Sequence, residues 1–279
     1  MRIRSIWRRS LRLFLILIVC LAVFVFQPVA LASPVIAQRA PDNLVTNVLR
    51  RIRSLIRSTS RSRAPTGRTR GGAGRGPLCP FINIPVSALA PALHSEMAEA
   101  IATDLVFGTT IEAHPTFWFY VPYAAAEGVD TAKFMLLDAE RNPVLPEPIV
   151  VSLTGTPGFV SFRLPEPYSL EIDQLYNWYF SIVCDAKKPS RNPGVRGWVQ
   201  RVAASPELAA DLSQIAPAQK YVAYAQNGIW FEMVTDLAEN LDRAPTDSTL
   251  QADWMAILEE LDLTALQDTP IVECCAPKN

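Results

Sequence analysis

The stretch HPTFWFYVPY, residues 114–123, carries five aromatic residues, four of them standing with a valine between two prolines. Successive side chains of a β-strand point to opposite faces, yet from Phe117 to Val121 every residue is apolar or aromatic. Either protein covers both faces, or one face is an exposed platform. The first reading is the expectation, because aromatics are mostly interior. In the second, Trp118, Tyr120 and Tyr123, with His114 at the strand's entry, bind a glycan or a partner protein by stacking.

The sequence that follows supplies partners for such a strand. Residues 116–123, 132–138, 149–153, 159–164, 176–184 and 196–202 are short runs rich in Val, Ile, Phe, Tyr or Trp, bounded by Pro, Gly, Asn or Asp. In YNWYFSIVC, Tyr176, Trp178, Phe180, Ile182 and Cys184 share one face, which makes a core stripe ending in a cysteine. ERNP and TGTPG read as the turns after the second and third runs. This grammar predicts an antiparallel β-sandwich of six or seven strands over residues 78–203.

Beyond residue 203 the pattern changes to helices. Ser205, Pro206 and Glu207 offer a capping serine, a proline at the first helical position and an acid in the first turn. After the break at Asn227-Gly228, Ile229, Trp230, Met233, Val234, Leu237, Ala238 and Leu241 recur at helical spacing. Leu250, Trp254, Ile257, Leu258 and Leu261 form a second stripe, joined to the first through Pro245. A single helical hairpin buries too little surface to stand alone. Residues 204–279 are therefore expected to pack on the sandwich, giving a mainly β, α+β fold.

The N-terminal third has a different character. Residues 1–32 read as a signal peptide: five arginines by residue 12, an apolar run over 13–26, and Ala30-Leu31-Ala32 for cleavage. The uncharged run from 13 to 38 also reaches the length of an uncleaved anchor, although Pro28 and Pro34 interrupt it. Residues 33–77 read as a basic, disordered arm with ten arginines against one acid, Asp42. Within it, NLVTNVLRRIRSLIR places Leu44, Val48, Ile52, Leu55 and Ile56 on one helical face with arginines elsewhere, the pattern of a helix that lies on an anionic membrane. A solvated tether is the competing reading.

Residues 78–279 hold 26 acids and 11 basic residues, so the net charge of −1 conceals an acidic body joined to an arm of about +9. Arm and body should attract each other, within one molecule or between two. An acidic body also disfavours nucleic acid as its ligand.

Removing the signal leaves Cys79, Cys184, Cys274 and Cys275, an even number suited to an oxidising, extracytoplasmic compartment. Three pairings exist. The expectation ties Cys79 and Cys184 to the C-terminal pair, because a bond between adjacent cysteines closes a strained ring. No spacing here matches a zinc site.

GPLCP at 76–80, HPTFWFYVPY at 114–123, LTGTPG at 153–158, YNWYFSIVCD at 176–185, GWVQRV at 197–202, YAQNGIWFE at 224–232 and IVECC at 271–275 together resemble the cyanobacterial domain of unknown function 928. The resemblance spans nearly all of residues 76–275. It implies exported proteins and supplies no catalytic residues. The residues themselves show no serine elbow, phosphate loop or metal cluster, and no cofactor is expected. Two functions remain open. One is an exported, envelope-associated binding or assembly protein, whose partner is an envelope protein or polymer and whose arm contacts an anionic membrane or polymer. The other is an envelope hydrolase using His114 with Glu112.

Overall fold

The computed structural model describes residues 42–59, 70, 79–80, 82–93, 105–123, 129–153 and 155–275. The signal segment expected over residues 1–32 lies outside them. Among the described residues, a helix α1 (Asp42–Thr59) precedes nine strands: β1 (Ser87–Ala88), β2 (Ala92–Leu93), β3 (Leu105–Thr110), β4 (Thr116–Val121), β5 (Thr131–Leu137), β6 (Ile149–Ser152), β7 (Gly158–Arg163), β8 (Leu175–Ile182) and β9 (Gly194–Arg201). Four helices follow, α2 (Pro206–Gln214), α3 (Lys220–Asn227), α4 (Trp230–Arg243) and α5 (Ser248–Glu260).

The strands form a sheet of order β1-β4-β7 facing a sheet of order β2-β3-β9-β8-β5-β6. The pairing is antiparallel throughout except for β3 against β9. The expected sandwich with a helical C-terminal region is therefore the fold, and all six strand runs read from the sequence are strands. The additional ones, β1 to β3, are short or carry glycine and threonine in place of an aromatic stripe.

Strand β4 explains its own composition. Phe117 and Phe119 point at the large sheet: the Phe119 ring stacks on Phe180 with centroids 4.0 Å apart, and Phe117 meets Phe134 at 5.0 Å. Phe117 also meets Phe231 of α4 edge-on at 5.0 Å. On the opposite face Trp118 donates its indole N–H to Thr235 of α4 at 3.0 Å. Tyr120 packs on Phe159, which in turn meets Trp254 of α5 edge-on. One face thus meets a sheet and the other meets helices, which is the first of the two readings the sequence left open. The stripe of β8 behaves likewise, with Tyr176, Trp178, Phe180 and Ile182 all buried.

The helical boundaries follow local chemistry. The Ser205 hydroxyl accepts the Leu208 N–H at 3.1 Å and caps α2, and the Asp247 carboxylate caps α5 from Thr249 and Leu250. Gly228 ends α3 with φ 77°, in the left-handed region that favours glycine.

Two expectations are corrected here. Of the arm expected to be disordered over residues 33–77, the structure describes residues 42–59 and Arg70, and the expectation that changes is that of a helix free to lie on a membrane. Helix α1 instead buries Leu44, Val45, Val48, Leu49 and Ile52 against α3 and α5, so this apolar face is spent on the protein's own core. Leu55 and Ile56 lie outside the described side chains. Approach is close: a β-carbon at Gly228 would collide with Arg51 of α1. Charge works in the same sense: the Glu207 carboxyl is lowered by hydrogen bonds from its own backbone and from Ser205, with a smaller contribution from Arg51, and Arg70 pairs with Asp262 at 2.9 Å. The second correction concerns the cysteines. Cys79 bonds Cys184, and Cys274 bonds Cys275. Folding brings Cys79 beside the end of β8, while the C-terminal segment runs past β6, where Cys274 Sγ lies 3.5 Å from Ser152 O. In the chain-entropy account a loop of roughly 100 residues contributes about 4.7 kcal/mol and a bond between neighbours only about 1 kcal/mol. The first bond is therefore the staple.

If α1 belongs to the core, Ile52→Ala should cost about 2 to 4 kcal/mol in denaturant unfolding, whereas Arg53→Ala, on the exposed face, should change stability by less than about 0.5 kcal/mol. Equal, negligible effects would return α1 to the status of a tether.

Candidate functional site

Strand β3 ends at Thr110 and the chain turns through Ile111 and Glu112 before entering β4. That turn sits against the first turn of α4. The Glu232 carboxylate oxygen Oε1 accepts the Thr110 hydroxyl, the Ile111 N–H at 3.3 Å and the Glu112 N–H at 3.2 Å. One side chain thereby satisfies backbone donors that the end of β3 leaves without a ladder partner. The other oxygen, Oε2, is buried and has no hydrogen-bond partner.

Burial pushes the Glu232 carboxyl up from its usual 4.5 to about 7, and the Glu112 charge adds to the rise, while the bonds from Thr110 and the backbone oppose it. Around Glu232 lies a cleft of about 190 Å³ whose walls include Glu112, Asp236, Glu239, Tyr224 and Arg163. Asp236 is held above its usual range by burial, although its Oδ2 accepts the Tyr221 N–H at 2.8 Å and Lys220 and Arg243 favour its charge. The Tyr224 hydroxyl is raised by burial and then by the charges of Glu232, Asp236 and Glu112. Four acids face one arginine, so the cleft favours a ligand that brings positive charge or hydrogen-bond donors. Among the described residues, no group of three His, Cys, Asp or Glu side chains is placed to hold a metal ion.

The residues singled out from the sequence fall elsewhere. Trp118 is 6% exposed, Tyr120 8% and Tyr123 4%, which leaves no open ring face for stacking; these three belong to the core. His114 is partly buried with Nδ1 unpartnered, so the Glu112 carboxylate is not bonded to it there, and His114 does not line the cleft. Only Glu112 of the His114–Glu112 pair faces the cleft. Glu232 and Asp236 escaped sequence reasoning. Their one local signal was an acid, Glu232, set between apolar Phe231 and Met233 near a helix start. Its partners lie about 120 residues away in the chain.

The pH dependence has a definite sign. The native carboxyl keeps its proton where the unfolded chain has released it, so this group costs stability as pH rises from 4.5 to about 7. The full cost, of about 3 kcal/mol, is present above that window. Urea unfolding of wild type and Glu232→Gln at pH 5 and pH 8 should show wild type losing more stability than the variant between the two. Parallel pH profiles would mean that Glu232 does not titrate in this window.

No curated protein and no solved structure matches the chain. Helix α1 precedes the stretch that a family model matches, yet packs on α3 and α5 within it. That match covers residues 70–271, and the chain accordingly belongs to the Domain of Unknown Function (DUF928) family.

Proposed function

We propose that the protein is an exported, envelope-associated binding or assembly protein, non-catalytic, that takes a cationic group of its partner into the acid-walled cleft between the β3–β4 turn and α4. The observation that carries this reading is Glu232, a buried carboxylate with one oxygen unpartnered at the base of a cleft lined by three further acids. A buried, unpartnered acid costs stability, and cost retained in a cleft is what a binding site demands. The β-rich, disulfide-bonded body, and the lack among the described residues of a helix long and apolar enough to cross a membrane, are compatible with an extracytoplasmic setting. Arg50 and Arg53 are exposed on α1 and offer basic charge to an anionic lipid or polymer surface.

The test is capture by the full chain from envelope extract, with wild type and the double variant Asp236→Asn/Glu239→Gln as baits. Partners retained by wild type at low salt should be lost by the variant and lost at 0.5 M salt, where the screening length falls to about 4 Å. Capture indifferent to both changes would remove the cleft from the account. The rival hydrolase has its own signature: His114→Ala should abolish turnover of an envelope substrate without unfolding the chain, and on the proposed reading it leaves capture intact.

A further inference from the structure

The C-terminal segment closes the edge of the three-stranded sheet. Phe159 donates its N–H to Pro270 O at 2.9 Å, and Val272 donates to Phe159 O at 2.9 Å. Gly158 leaves this strap room to pass, because a β-carbon there would meet Pro270 O at 2.8 Å. Two residues further on stand Cys274 and Cys275, bonded to each other.

A disulfide between neighbours constrains almost nothing in the unfolded chain, so stapling does not account for it. Its α-carbons are held 3.7 Å apart by adjacency, closer than the roughly 4.4 to 6.8 Å at which ordinary disulfides sit. Cys275 has φ 73°, a left-handed conformation that residues with a β-carbon rarely adopt. Cys274 Sγ lies 3.5 Å from the carbonyl oxygen of Ser152, an acceptor that a thiol can use and a disulfide sulfur cannot. The closed ring therefore holds a disfavoured backbone conformation, while the open pair has a hydrogen bond ready for it. Cys275 is 6% exposed and Cys274 is more exposed, so Cys274 is the side from which a partner approaches the pair.

We propose that Cys274–Cys275 is a thiol–disulfide exchange site served by a dithiol partner, distinct in role from the permanent Cys79–Cys184 staple. A thiolate of the partner attacks Cys274 Sγ, the bond to Cys275 breaks, and Cys275 leaves as a thiolate that takes up a proton. The partner's second thiolate then attacks its own sulfur in the mixed disulfide and releases Cys274 as a thiolate, which is protonated in turn. Two electrons and two protons pass to the pair, and the dithiol becomes a disulfide. Opening frees the backbone at Cys275 and loosens the strap on Phe159.

The test uses the full chain under native conditions, exposed to dithiothreitol for increasing times, quenched with N-ethylmaleimide and mapped by peptide mass spectrometry. Cys274 and Cys275 should take up label at least ten times faster than Cys79 and Cys184, and the reduced protein should bind one phenylarsine oxide per chain. Cys275→Ser should bind none. Opening of both bonds at the same rate, or peptides joining Cys79 or Cys184 to the C-terminal pair, would overturn the proposal without needing any variant. Hydrogen exchange at the Phe159 and Val272 amides should quicken on reduction; unchanged exchange would disprove the link to the strap.

Discussion

Strand β4 is the constraint around which the rest is arranged. Its run of five apolar residues leaves no face for water, so one sheet must lie above it and something else below. The large sheet fills the first role with Phe134, Trp178 and Phe180, and helices α4 and α5 fill the second. Two indoles at the sheet–helix boundary also find hydrogen-bond partners. The Trp118 indole bonds Thr235 and the Trp230 indole donates to Leu89 O at 2.9 Å, whereas the buried Trp178 N–H has no partner among the described residues. The helical hairpin is thus a third layer of one core.

Helix α1 extends this logic beyond the family's own boundaries. Exposed ion pairs contribute little, with a median near zero to about 1 kcal/mol, so Arg51 and Arg70 do not by themselves hold the N-terminal segment in place. Burial of five aliphatic side chains does. What the charges add is direction. A basic helix docking on an acidic body meets attraction along its approach, and Gly228, without a β-carbon, lets the backbones close up beneath Arg51.

Glu232 is a buried carboxyl that keeps one oxygen without a partner. Its carboxylate completes the end of β3 through Oε1 while Oε2 stays unpaired, and the native state carries that cost near neutral pH. A glutamine there would serve the same backbone donors with no charge to desolvate. Retention of an ionisable group at the base of an acidic cleft is the conflict between stability and local chemistry that binding sites display. It separates this position from Asp253, another buried carboxylate of the helical layer, to which the Tyr221 hydroxyl donates at 2.7 Å.

Secondary structure and its layering were legible because they are written in short-range periodicity. Alternation along residues 176–184, the capping serine at 205 and the glycine at 228 each act within a few residues, and each does in the fold what its local chemistry dictates. The sequence by itself also raised the expectation that β4 is covered on both faces, with an exposed aromatic platform as the rival, and burial in the fold chose between them. Only the tertiary structure decided what depends on distant parts of the chain meeting. The same alternating greasy face of α1 suits a bilayer or a protein groove equally well, and only the groove between α3 and α5 selects one. Four cysteines allow three pairings whose choice turns on where two loops arrive. Glu232 reads as one more surface acid until the turn after β3, about 120 residues earlier in the chain, comes to rest against its oxygen, because burial and desolvation are properties of packing that no local pattern encodes.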